Sequence, residues 1–126
     1  MNYKQEFVVL GELPDLNKII KLSKSHYMAY STAKKRATEQ VIAAAIQRGV
    51  KPVPEDIKID ISCLWTCSSR RKDPDNVHHG VKYILDGLVS AGILFNDGWK
   101  QIGSISHDQR VGKVPQVFVQ IEERTE

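Results

Sequence analysis

The chain has 126 residues, 41% of them hydrophobic and 26% charged, the size and balance of one compact domain with one core, so residues 1–126 are read as a single unit. A domain of this length buries roughly two-thirds of the surface that its unfolded chain exposes, so folding requires neither a disulfide nor a structural zinc. No apolar run approaches the roughly 20 residues of a membrane helix, and no long apolar stretch follows Met1-Asn2-Tyr3-Lys4-Gln5-Glu6, which predicts a cytoplasmic protein with no membrane partner.

The net charge of +3 is too mild to name a partner, but its distribution is uneven. Between Lys18 and Lys51 the only acid is Glu39, against Lys18, Lys21, Lys24, Lys34, Lys35, Arg36, Arg48 and Lys51, and Arg70-Arg71-Lys72 forms a second basic cluster. Both are candidate phosphate-binding surfaces, and both are also what a solvated helix face and loop look like. Cys63 and Cys67 lack a second Cys pair or a Cys/His cluster at zinc spacing, and Cys63 falls in phase with an apolar strand, so a buried, reduced thiol is expected.

In chain order, Glu6–Leu10 reads as a short strand, and Gly11-Glu12-Leu13-Pro14-Asp15 breaks it before a helix from about Leu16, with Asp15 as a cap. Ala33, Ala37, Val41, Ala44, Ala45 and Arg48 recur at helical spacing, which predicts the longest helix over about Met28–Arg48, stopped by Gly49. Ile57, Ile59, Ile61, Cys63 and Trp65 alternate with Lys58, Asp60, Ser62 and Leu64, the period of a strand with one face on the core. A second helix is expected over about Val77–Ala91, with Val81, Ile84, Leu85 and Leu88 on one face and Gly92 as the stop. Asn96-Asp97-Gly98 signals a turn, and Gln101–Ser106 and Gln116–Glu122 read as further strands. The predicted fold is α+β (α/β), a single mixed β-sheet packed with two main helices.

Arg71-Lys72-Asp73-Pro74-Asp75-Asn76 carries the most chemistry. Pro74 fixes its own φ and pushes Asp73 towards extended backbone, which allows Asp73 and Asp75 to face one small volume. Like charges held together are costly unless a divalent cation joins them, and hard carboxylate oxygens suit Mg²⁺ or Mn²⁺. An ion held by so few protein ligands keeps open positions for a phosphate oxygen and a water, and the neighbouring cations suit a polyanionic substrate. The competing reading makes Asp75 or Asn76 a helix cap and Asp73 a turn residue. A third acid, Asp97, has the same ambiguity. A straight fifteen-residue helix carries the chain roughly 22 Å from Asp75 and the six residues Gly92–Asp97 span at most about 20 Å back, so Asp97 returns only if the chain doubles back or the helix starts late. Lys82 either pairs with Asp86 one turn on, for about 0.5 kcal/mol or less, or stabilises charge at a scissile phosphate. His78 and His79 are expected near the phosphate or at the surface.

Taken together, Arg71-Lys72-Asp73-Pro74-Asp75-Asn76, Lys82-Tyr83-Ile84-Leu85-Asp86-Gly87-Leu88, Ala91-Gly92-Ile93-Leu94-Phe95-Asn96-Asp97 and Gln101-Ile102 resemble the core motif of the RusA family of Holliday-junction resolvases, prophage-type members most of all. Gly11-Glu12-Leu13-Pro14-Asp15-Leu16-Asn17 is similar to that family's N-terminal loop. The resemblance implies that Asp73, Asp75 and Asp97 bind catalytic Mg²⁺, with Mn²⁺ able to substitute. It places the essential lysine at Lys82 when counted back from Asp86, whereas counting forward from Asp75 lands on His79, because this chain carries extra residues there. It further implies a homodimeric hydrolase without a small-molecule cofactor, a crossover junction endodeoxyribonuclease that makes paired cuts in four-way DNA during recombination and repair. Two symmetric cuts call for two sites related by a two-fold axis. Lys34, Lys35, Arg36, Arg70, Arg71 and Lys72 are the expected contacts to the DNA backbone. The alternative function is a non-catalytic dimer that binds branched or single-stranded DNA.

Overall fold

A computed structural model describes residues 2–125 of the chain. Its elements are β1 (Lys4–Leu10), α1 (Leu16–Ser25), α2 (Tyr27–Arg48), β2 (Ile59–Cys67), α3 (Pro74–His78), α4 (Val81–Ser90), β3 (Ile102–Val111) and β4 (Gln116–Glu123). The four strands form one mixed sheet in the order β1-β4-β2-β3, antiparallel except for the parallel pair β2/β3. This is the α+β class expected from the alternation of strand and helix patterns.

One face of the sheet builds the core. Phe7 and Val9, then Ile59, Ile61, Cys63 and Trp65, then Val117, Val119 and Ile121 point inward, as the two-residue period requires. Helices α2 and α4 cover them with Ala37, Val41, Ala45, Tyr83, Ile84 and Leu88. The small inward residues of α2 let the two helices approach closely. A Cβ added to Gly87 would stand 2.6 Å from Val41 Cγ1, so only glycine fits there. Gly49, at φ 75°, ends α2 in the left-handed region, its N–H bonded to Ile46 O and that of Val50 to Ala45 O.

The helix expected over Val77–Ala91 is divided and begins earlier. Pro74, with its preset φ and no N–H to lose, opens α3 at the first helical position. Gly80 then presses on the indole of Trp65, where an added Cβ would lie 2.7 Å from the ring. The backbone tightens to i→i+3 bonds, Gly80 N to Val77 O and Tyr83 N to Gly80 O, before α4 starts. Strand β3 is also longer than the Gln101–Ser106 read from sequence. Gln101 belongs to the preceding turn, and the strand continues to Val111 because it pairs with β2 from Ile59↔Ile102, past a register shift before Ile61↔Ile105, to Cys67↔Val111. No helix is long and apolar enough to cross a membrane among the described residues.

Candidate functional site

The acidic segment stands where β2 runs out. Asp73 is extended at φ −66° and ψ 148°, as the following proline demands, and its carbonyl accepts from the N–H groups of Asn76 (3.1 Å) and Val77 (3.2 Å). The backbone becomes helical at Pro74, so the strand-like alternation that would set Asp73 and Asp75 on one side stops there. Asp75 lies in the first turn of α3. Among the described residues neither carboxylate forms an ion pair, and the Asp73 side chain makes no cap. Both are exposed.

What holds this segment in place comes from the loop Gly11–Asp15, a partner not apparent from the sequence. Asp15 is buried and caps α1 by accepting the Lys18 N–H at 2.9 Å. The same carboxylate binds Lys72 Nζ at 2.7 Å, and Glu12 lies 3.5 Å from that ammonium. Burial pushes the Asp15 carboxyl up, but its bonds to Lys72, to the Lys18 N–H and to Asn76 together hold it below the usual aspartate value. The bond to Asp15 raises Lys72 in turn. Buried Asn76 adds a second clamp, its Oδ1 accepting the Asn17 N–H at 2.9 Å. Lys72 therefore spends its charge on Asp15 and Glu12, while Arg70 and Arg71 are exposed and form no ion pair among the described residues.

Beside Asp73 opens a groove of about 400 Å³, lined by Ser69, Arg70, Asp73, Val77, Gln109 and Arg110 among others. Arg110, on β3, is steadied by Nε donating to Thr66 Oγ1 at 3.0 Å. The sequence offered only its place in a polar stretch; its position next to Asp73 follows from the β2/β3 register. A carboxylate and two guanidinium groups in one groove suit a phosphodiester accompanied by a cation.

Histidines dock α3 onto β3. Trp65 Nε1–H donates to His107 Nδ1 at 2.9 Å, so neutral His107 carries its proton on Nε2. His78 stacks on that ring, centroids 4.2 Å apart and 9° from parallel, and its Nε2 meets Gln109 Oε1 at 2.8 Å. Burial first, and then His78, lowers the pKa of His107. His79 meets Tyr83 edge-on at 5.8 Å, and His79 Nε2 and the Tyr83 hydroxyl are both buried without a hydrogen-bond partner among the described residues. Burial, reinforced by Lys82, lowers His79 as well. Both rings are half-buried, His78 stacked between α3 and β3 and His79 against Tyr83.

Lys82 Nζ lies 3.7 Å from Asp86, the ordinary solvated pair of adjacent turns, with 52% and 40% of the two side chains exposed. Lys34, Lys35 and Arg36 occupy α2, where Lys34 bonds the Tyr30 hydroxyl at 3.2 Å.

Asp97 does not join Asp73 and Asp75 within one chain. Strand β3 starts beside Ile59 and finishes beside Cys67, and the turn carrying Asp97 is fixed to the start, with Gly98 O accepting from the N–H groups of Gln101 and Ile102. Asp73 shares its groove with Cys67 and Val111, at the other end. The nine residues of β2 put those ends about 26 Å apart. Accordingly, no group of three His, Cys, Asp or Glu side chains able to hold a metal forms among the described residues. The chain does not double back along the helix after Gly92, because Ile93 and Leu94 are buried beneath it and lead straight into the β3 turn. Asp97 is exposed and is flanked by two uncovered aromatics, Phe95 (68% exposed) and Trp99 (93%).

No family model matches the chain. A stretch of 42 residues is 43% identical to a protein of Arabidopsis thaliana described as probable galactinol–sucrose galactosyltransferase 5; it covers 32% of this chain, which spans about 5% of that protein's length.

Proposed function

We propose that the protein is a homodimeric, Mg²⁺-dependent, structure-selective endodeoxyribonuclease that cuts four-way DNA, with each site drawn from two copies of the chain. The observation that carries this reading is the nearness in the chain of two carboxylates, Asp73 and Asp75, that form no ion pair among the described residues, with Asp73 lining a groove it shares with Arg70 and Arg110. The donor set fits a hard divalent cation by type, since the carboxylate oxygens are exposed and uncommitted. Two carboxylates alone hold such an ion weakly. A third is available on a turn whose neighbours Phe95 and Trp99 are left for another surface to cover, so a second copy packed on that turn supplies Asp97 to the Asp73–Asp75 segment.

When bound, the cation supplies Lewis-acid polarisation of the phosphodiester and lowers the pKa of a water. The chain's own part is positional. Asp73, Asp75 and Asp97 present the ligand oxygens, and Arg70 and Arg110 orient the phosphate in the groove. Asp15, Asn76 and Lys72 lock the acidic segment so that the carboxylates meet substrate with little reorganisation. Lys82, on a half-exposed pair, is free to exchange Asp86 for a substrate phosphate. Lys34, Lys35, Arg36 and Arg71 bind backbone.

The test is cleavage of a synthetic four-way junction by purified protein, with Mg²⁺ or with chelator, alongside Asp75→Asn. Paired cuts that need the metal and vanish in Asp75→Asn, with junction binding retained, are expected. Cutting at the native rate by Asp75→Asn removes the metal site, and tight junction binding without any cutting by the native protein makes it a binding module instead.

A further inference from the structure

Between Leu16 and Thr38 the chain has no carboxylate, while Lys18, Lys21, Lys24, Lys34, Lys35 and Arg36 contribute six positive charges; in a chain of net +3 that leaves the remainder at −3. Folding puts this charge on two consecutive helices. Helices α1 and α2 are joined through the single residue His26 (φ −145°, ψ 85°), so the chain turns in an elbow. Lys18, Lys21, Lys24, Lys35 and Arg36 are exposed, and none of the six cations has a carboxylate partner among the described residues. At the elbow stand Tyr27, 73% exposed, and Met28, 77% exposed, with the Tyr30 ring 6.4 Å from that of Tyr27.

A ligand that satisfies this elbow must be polyanionic and must also offer flat apolar faces. An unpaired nucleic-acid strand does both, whereas a duplex shows its phosphates but keeps its bases stacked away. An anionic membrane is the other polyanion with an apolar layer. It fits less well, because α1 has turned most of its apolar side inward: Ile19 is buried, Leu16 and Leu22 are half-buried, and the one aliphatic side chain α1 leaves exposed is Ile20, too little apolar surface to enter lipid. Position also favours the nucleic acid. The start of α1 is bolted to the acidic segment through Asn17–Asn76 and Asp15–Lys72, and α1 runs about 15 Å from there to the elbow, the length of roughly four stacked nucleotides.

We propose that the α1–α2 elbow binds an unpaired DNA strand leading away from the acidic segment, its phosphates on Lys18, Lys21, Lys24, Lys35 and Arg36 and a base stacked on Tyr27 and Met28. The inference rests on the DNA reading given above but not on its metal chemistry, so it is tested with chelator present. Fluorescence anisotropy with labelled oligo-dT and with a blunt duplex is to be compared for the native protein, for the double variant Tyr27→Ala/Met28→Ala, and for Lys21→Gln/Lys24→Gln. The replaced side chains are exposed, and circular dichroism checks that the variants fold. The native protein is expected to prefer oligo-dT. The aromatic variant should lose about ten- to a hundredfold of that affinity while holding duplex within about twofold. The lysine variant should weaken both ligands and shallow the salt dependence of oligo-dT binding by about 0.7 per lysine in the log–log slope. Oligo-dT binding unchanged in the aromatic variant overturns the proposal, as does sedimentation with phosphatidylserine vesicles that the same variant abolishes while oligo-dT is ignored. Junction cleavage with Mg²⁺ separates the two readings: cleavage intact while the elbow is indifferent to oligo-dT removes only the elbow, and an absence of cleavage with Tyr27-dependent oligo-dT binding removes only the nuclease.

Discussion

Removing Asp15 separates the parts of the clamp that holds the acidic segment. Asp15 caps α1 through Lys18 N–H and pairs with Lys72 at 2.7 Å, and it is only 8% exposed. Asparagine is as good a cap as aspartate, so Asp15→Asn removes the ion pair alone, whereas Asp15→Ala removes both. With 42% of the Lys72 side chain exposed, the pair is discounted to about 0.5–1 kcal/mol. The cap adds about 1 kcal/mol. At about 3–5 °C per kcal/mol for a chain of this length, Asp15→Asn should melt about 1.5–5 °C below native and Asp15→Ala about 4.5–10 °C below, measured by calorimetry near pH 7. The sign with pH follows from the direction of the shifts. Asp15 is held below its ordinary value in the folded protein, so its contribution is complete above the ordinary carboxylate range and is lost as pH falls through it. Lys72 is raised, so its contribution is complete below the ordinary lysine value and is lost only as pH climbs past the raised one. The Asp15→Asn deficit should therefore shrink on acidification, while the extra deficit of Asp15→Ala persists. A deficit in Asp15→Asn that does not change between neutral and acidic pH would refute the pairing argument, and equal melting of Asn and Ala variants would refute the cap.

Four further outcomes are expected. Gly87→Ala forces a Cβ to within 2.6 Å of Val41 and should destabilise by about 1–3 kcal/mol in urea unfolding; a neutral result would mean that α2 and α4 separate at no cost. Lys82→Ala should change stability by about 0.5 kcal/mol or less and yet slow junction cleavage, whereas full-rate cleavage returns Lys82 to a pair with Asp86 and nothing more. Burial raises the Cys63 thiol to about 12, so native protein should react with an alkylating agent at Cys67 before Cys63, read by mass spectrometry of peptides; prompt labelling of Cys63 contradicts its burial. His107 should titrate below the ordinary imidazole value in NMR, so that stability declines as pH falls through that value, and His107→Phe should weaken the dependence and leave the part due to His79; an unshifted His107 contradicts its burial beside His78.

Periodic burial made much of this architecture readable in advance. Ile59, Ile61, Cys63 and Trp65, or Val117, Val119 and Ile121, alternate because each strand has one buried face, and α2 announces itself through Ala37, Val41 and Ala45 and through Gly49 at its end. The far half of β3 is not legible in the sequence, because an edge strand with Ser104, Ser106, Asp108 and Arg110 exposed on one side and little buried on the other has no alternation of polarity. The division of the Pro74–Ser90 helix at Gly80 depends on Trp65, which is remote in sequence. The acids themselves were recognisable, but their company was not. Asp15 meets Lys72, and Asn17 meets Asn76, across loops whose lengths are set by the fold. The parallel pairing of β2 with β3, which sends Asp97 to the far end of the sheet, likewise has no local signature.

Mixing two inactive variants tests the shared site most directly. Asp75→Asn and Asp97→Asn, each unable to cut a four-way junction alone, are unfolded together and refolded to exchange subunits, then assayed with Mg²⁺ on a junction labelled on all strands. In a mixed dimer one site receives both asparagines and the other receives both native aspartates, so restored activity confined to single-strand nicks is expected. No cleavage from the mixture, from a preparation in which the native protein refolds to full activity, would contradict a site completed by Asp97 of a second copy.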